Sequence, residues 1–154
     1  MQYIYALFKN PFLMTGLTSW GIAQILKTVI FAVINKGMDF RRLIGDGGMP
    51  SGHSATVSSL AAISFLVYGP ASFEFAVCAL LAVIVCHDAM GVRLETGKQA
   101  VVLNELIQSF SVFATEKLPE VKLKEFVGHT PVQVLAGILI GIANAVGMYF
   151  LWFR

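Results

Sequence analysis

Two long apolar blocks, Phe12–Ile34 and Pro131–Phe153, constrain this chain more than any other feature. A helix that crosses the hydrocarbon core needs ~20 mostly apolar residues. Inside lipid every backbone N–H and C=O must be satisfied within the segment, so a helix is the natural solution. Both blocks meet the length. Ala55–Val67 and Phe73–Cys86 are shorter, and reach spanning length only by including their Ser, His or Asp ends. Buried or reentrant helices are the alternative for those two. The expectation is an all-α polytopic membrane helix bundle, with about four spans plus an amphipathic interfacial helix. It forms a single integral-membrane domain over residues 1–154. A hydrophobic share of 56% against 13% charged residues places the chain in the membrane class. The first residues lack a basic start followed by a short apolar block and a small-residue cleavage site, so no signal peptide is expected.

Several function classes drop out. A net charge of +2, with no basic run interleaved with aromatics, gives no footprint for nucleic acid. Cys78 and Cys86 lie ~12 Å apart along one helix at the standard rise, too far to pair, and read as small core residues. No His/Cys cluster has metal-ligand spacing, so neither a metal nor another cofactor is expected. A Mg²⁺ held by Asp46 or Asp88 is the lesser alternative.

The polar residues concentrate at the ends of the apolar blocks. Gly47-Gly48-Met49-Pro50-Ser51-Gly52-His53-Ser54 runs straight into the second block. A helix starting there turns its unpaired N–H groups and positive dipole end toward the turn, which suits a phosphate. A plain helix cap with a histidine at the water boundary is the competing explanation. His129-Thr130-Pro131 repeats the arrangement: Thr130 is a good N-cap, Pro131 a good first helical residue, and His129 stands just outside. Lys27 sits deep in the first block, where it must snorkel or meet an anion. Tandem Arg41-Arg42 could clamp a phosphate or simply mark a membrane edge. Asp88 and Arg93 end the third block and face water, each other or a site. Gln99–Phe113 carries Leu103, Leu106, Ile107, Phe110 and Phe113 at helical spacing, an amphipathic pattern for the membrane surface or the bundle.

With four spans, Lys36, Arg41, Arg42, Arg93, Lys98, Lys117, Lys122 and Lys124 share one face, while Lys9 and Arg154 lie on the other. The positive-inside bias makes the histidine-bearing face cytoplasmic, in a bacterial inner or plasma membrane.

His129-Thr130-Pro131-Val132-Gln133-Val134-Leu135-Ala136-Gly137 resembles the third signature of the type 2 phosphatidic acid phosphatase superfamily, which also holds the vanadium haloperoxidases. Pro50-Ser51-Gly52-His53 resembles its second. Asp39-Phe40-Arg41-Arg42, Asp88-Ala89-Met90-Gly91-Val92-Arg93 and Gly97-Lys98-Gln99-Ala100 fit the divergent, short bacterial and plastid branch. The likeness runs from about Gly16 to Gly141. It implies a lipid-phosphate phosphatase with His129 as nucleophile and His53 as general acid. Lys27, Arg41 or Arg42, and Arg93 would hold the phosphate, and Ser51 and Gly52 would add donors. The partners implied are a phospholipid or prenyl-phosphate substrate and the bilayer, with a homo-oligomer left open.

Three features depart from the family pattern. The gap from Lys27 to the arginine pair is about twice the usual one. A whole amphipathic segment separates Arg93 from His129. The aspartate expected four residues after the nucleophile is Gln133, which can accept a ring N–H but brings no charge. Asp88 is the candidate substitute carboxylate. A cytoplasmic site favours phosphatidylglycerophosphate as substrate, then phosphatidic acid. Reversed topology would favour a polyprenyl phosphate or diphosphate, and a non-catalytic lipid-phosphate-binding protein is the reading from another class.

Overall fold

The computed structural model describes residues 2–37, 47–113, 123–125 and 127–154, with side chains of 111–113 excepted. Arg41, Arg42, Asp39, Asp46, Lys117 and Lys122 lie outside the described residues. Six helices follow in order: α1 (Gln2–Phe8), α2 (Pro11–Asn35), α3 (Gly52–Tyr68), α4 (Phe73–Met90), α5 (Val92–Phe113) and α6 (Pro131–Phe153). The architecture is the all-helical membrane bundle expected.

Each helix start follows from local chemistry. Asn10 caps α2 through bonds from the Phe12 and Leu13 amides, with Pro11 as first helical residue. Ser51, Ser72 and Thr130 cap α3, α4 and α6 in the same way. Gly91 ends α4 and redirects the chain into α5.

Among the described residues, three stretches are long and apolar enough to cross a membrane: Pro11–Asn35, Phe73–Phe110 through its α4 part, and Pro131–Phe153. The fourth expected span, α3, has only 17 residues. Its place explains its composition. It packs against α2, α4 and α6 together, so its Ser54, Ser58, Ser59 and Ser64 are buried by protein. Much of their hydrogen bonding stays within the helix: Ser58 Oγ donates to the Ser54 carbonyl at 2.6 Å and Ser59 Oγ to that of Thr56 at 2.8 Å. The most polar of the four helices is therefore the central one. Lipid faces the apolar flanks of α4, where Leu80, Val83 and Ile84 are each about two-thirds exposed.

The seam between α3 and α6 is set by Gly137 and Gly141, one turn apart. A Cβ on Gly137 would collide with Ser54 Oγ and the Ser51 carbonyl, and one on Gly141 with Ser58 Oγ and the Ala55 carbonyl. Ala145, a further turn along, is fully buried. Small residues at this spacing let two backbones approach closely in lipid, where van der Waals packing replaces hydrophobic driving force. Asn144 ties α6 to α2, donating to the Thr15 carbonyl, Thr18 Oγ1 and Ser19 Oγ.

The helix ends sort into two layers. Phe12 stacks on Tyr68 at 5.3 Å and meets Phe153 edge-on at 6.3 Å, which gathers the start of α2 and the ends of α3 and α6. The other layer holds the end of α2, the start of α3, the end of α4 and the start of α6. Both histidines of the sequence patterns lie there. Helix α5 leaves this layer with Leu103, Leu106 and Phe110 exposed, the apolar stripe expected of an interfacial helix.

Candidate active site

The turn before α3 is built on glycine. Gly47 and Gly48 hold φ of 78° and 86°, which side-chain-bearing residues rarely adopt. The turn delivers Ser51 to a fully buried position. Ser51 N–H donates to the Gln133 carbonyl at 3.0 Å, and its Oγ accepts from Ser54 N at 3.3 Å. The N–H of Ser51 thus ties the turn to α6, while its hydroxyl oxygen caps α3. Gly52 opens the helix, so its N–H belongs to the first-turn donors that the helix leaves unused. His53 follows and is exposed.

His129 is placed by a strap that runs back along α5. Asn104 pins the strap at its far end: its Nδ2 donates to the Leu123 carbonyl at 2.9 Å and Glu125 Oε1 at 2.8 Å, and its Oδ1 accepts from Leu123 N at 2.9 Å. Next, the Glu125 and Val127 carbonyls lie so close to Gly97 that a Cβ there would meet them. Gly128, at φ 86°, lies directly against the Arg93–Leu94 backbone. His129 N–H then donates to the Ala89 carbonyl at 2.9 Å. The described residues on the N-terminal side of His129 therefore run back along α5 and place the histidine at the α4–α5 junction. Asn104 and Gly97 do this positioning. Asn104 was not singled out by sequence reasoning, because a polar residue on an amphipathic helix looks like ordinary solvated surface.

The two histidine rings lie 6.1 Å apart between centroids, with planes inclined by 58°. His129 is 3% exposed. Its Nδ1 is 3.3 Å from Gln133 Oε1, and the same oxygen is 3.1 Å from Thr130 N. A main-chain N–H only donates, so the amide atom facing Thr130 is the oxygen. Nδ1 must then carry the hydrogen, and Nε2 keeps the lone pair. Burial holds the His129 ring below the usual imidazole pKa, helped by the nearby Lys27 ammonium and by His53. Hydrogen bonds that the charged ring gives to Gln133 and to the Gly48 main chain oppose that shift.

Lys27 does not snorkel. It is 5% exposed, on the same buried face of α2 as Ala23 and Gln24, and close enough to His129 to act on its charge. Asp88 Oδ2 pairs with Arg93 Nε at 2.5 Å. Gln133 is therefore the side chain that contacts His129, while Asp88 holds the arginine beside the strap. The site thus brings His53, His129, Gln133, Gly52 and Lys27 together, with the Asp88–Arg93 pair at its margin.

A cavity of about 570 Å³ lies elsewhere. Ser58, Phe65, Phe75, Ala82, Ile138 and Val146 are among its almost wholly apolar walls. The packed cluster of Val57, Cys86, Ala89 and Val134 sits between it and the histidine layer. Chemistry on a phosphate belongs with the polar groups, not in this cavity.

Among the described residues no group of three or more His, Cys, Asp or Glu side chains is placed to hold a metal ion. In comparisons with known proteins, residues 8–144 match the family model described as the Divergent PAP2 family. An uncharacterized membrane protein, YuiD of Bacillus subtilis (strain 168), is 39% identical over 145 residues, covering 88% of this chain and 92% of that protein. No solved structure matches.

Proposed function

Starting from the fact that this chain belongs to the Divergent PAP2 family, we propose that it is a membrane lipid-phosphate phosphatase working through a phosphohistidine. The observation that carries this reading is the pair of imidazoles facing each other across 6.1 Å, one with its tautomer fixed.

Each group has a physical task. Lys27, Arg93 and one of Arg41 and Arg42 neutralise a phosphomonoester, and the Gly52 amide adds a donor at the helix terminus. Charge of this kind, preset in a poorly solvated pocket, is the main resource for phosphoryl transfer. His129 Nε2 attacks phosphorus; the N–P bond forms as the bond to the lipid oxygen breaks. His53 gives its proton to that departing oxygen. A water then attacks the phosphohistidine, His53 takes its proton, and phosphate leaves with His129 restored to the neutral form. Gln133 accepts the Nδ1 hydrogen throughout and orients the ring. Asp88 fixes Arg93. No metal enters these steps.

The substrate follows from position. The site lies at one end of a membrane bundle, on the face that carries most of the basic loop residues. By the positive-inside bias this face is cytoplasmic. A phosphomonoester lipid made on that side fits best, with phosphatidylglycerophosphate ahead of phosphatidic acid. Purified protein in chelator should release phosphate from these lipids, and orthovanadate should inhibit as a pentavalent mimic. His129→Ala should abolish release. Equal release by wild type and His129→Ala would end the reading and leave a lipid-phosphate-binding protein on the same fold, the role that Gln133 in place of a carboxylate favours.

A further inference from the structure

Gln24 is a buried side chain that the mechanism above does not use. It is 7% exposed, and its Oε1 is buried with no hydrogen-bond partner among the described residues. A buried amide oxygen left unpaired is costly, so its retention calls for a partner that the described residues do not supply.

Its neighbours on α2 show where it points. Trp20, Gln24 and Lys27 lie on one side of the helix, at the four- and three-residue spacing that stacks side chains. Trp20 packs on Gly52, the first residue of α3. Lys27 acts on His129. Gln24 lies between these two contacts and therefore faces the space bounded by the α3 N-terminus and His129. The Lys27 ammonium on the same side favours the carbonyl oxygen, not the amide NH₂, pointing inward.

An acceptor among cations has no use for the phosphate itself. A phosphomonoester has its second pKa near ~6, and neighbouring cations lower it, so the bound dianion carries no hydrogen. The donor has to come from elsewhere on the lipid. We propose that Gln24 Oε1 accepts a hydrogen bond from a hydroxyl on the head group of the bound lipid phosphate, so that the site selects hydroxyl-bearing substrates. This rests on the phosphatase reading above. A site built to bond a substrate hydroxyl rejects the analogue lacking it more strongly than an apolar pocket rejects a missing methylene, because the buried acceptor is left unpaired.

The test is a cycle between protein and substrate. Phosphate release is measured in detergent micelles with phosphatidylglycerophosphate and with its analogue lacking the free 2-hydroxyl of the head-group glycerol. Wild type should favour the hydroxyl-bearing lipid by about tenfold or more in kcat/KM. Gln24→Met, of similar length and without the acceptor, should bring the ratio close to one. A wild-type ratio near one overturns the proposal without any variant. A ratio that persists in Gln24→Met overturns it too, and leaves the phosphatase reading standing. Wild-type protein that hydrolyses neither lipid removes the phosphatase reading and this inference with it.

Discussion

His129 Nδ1 and Thr130 N converge on one atom, the amide oxygen of Gln133, at 3.3 and 3.1 Å. The same glutamine that closes the capping box of α6 therefore also sets which nitrogen of His129 is free. Helix initiation and the orientation of the proposed nucleophile are one local structure.

The pH dependence follows from the direction of the His129 shift. The neutral ring is the nucleophile, and burial holds its pKa below 6.5. Activity limited by this group should persist below pH 6.5 and fall only as pH drops through the lowered value. Gln133→Glu, of the same length, puts a negative charge where the amide oxygen meets Nδ1, which favours the charged ring. The acid limb should move to higher pH. A profile of kcat/KM for both proteins checks this, and an unmoved limb assigns the titration to another group.

Proton donation by His53 is separable from nucleophilic attack. His53→Ala should lower kcat on a lipid alcohol leaving group by ~10²–10⁴-fold. A nitrophenyl phosphate departs without a proton, so the first step should recover with it. His129→Ala should lose both substrates alike.

Arg93 depends on Asp88 for its position, and the pair is partly exposed, at 49% and 39%. Exposed pairs contribute ~0–1 kcal/mol to stability. Asp88→Asn should therefore leave the melting temperature in detergent nearly unchanged while raising KM. A large loss of stability with unaltered KM would make the pair structural.

Gly137 and Gly141 in the α3–α6 seam should tolerate no side chain. Gly141→Ala places a Cβ against the Ala55 carbonyl and Ser58 Oγ, and overpacking of this kind costs ~1–3 kcal/mol. Gly147→Ala, whose Cβ meets nothing within 4 Å, is the control and should be neutral. Thermal unfolding of both variants reads the difference.

Topology decides between substrate classes. Lys124→Cys, in a chain with Cys78→Ala and Cys86→Ala, should react with an impermeant thiol reagent only after cells are permeabilised. Labelling in intact cells would put the site outside and turn the substrate toward polyprenyl phosphates.

Much of this was legible in the chain. Runs of apolar residues long enough to cross a bilayer announce helices whatever surrounds them. Thr130, Pro131 and Ser51 mark helix starts, because capping involves only near neighbours. The spacing from His129 to Gln133 is one helical turn and needs no tertiary information. Other features had no local signature. Lys27 is equally consistent with snorkelling until the rotation of α2 is known. Ser51, named as a phosphate donor, is fully buried, with its N–H on the Gln133 carbonyl and its hydroxyl oxygen capping α3. Asp88 looked like a partner for His129 and pairs with Arg93.

The primary structure determined that the protein is a helical membrane bundle with two histidines at helix starts, since length, hydropathy and capping act over a few residues. Only the tertiary structure decided which polar side chains share a pocket. That outcome depends on how α2, α3 and α6 are rotated and how closely they cross. The crossing is set by Gly137 and Gly141, and a strap folded over Gly97 brings His129 back to Arg93.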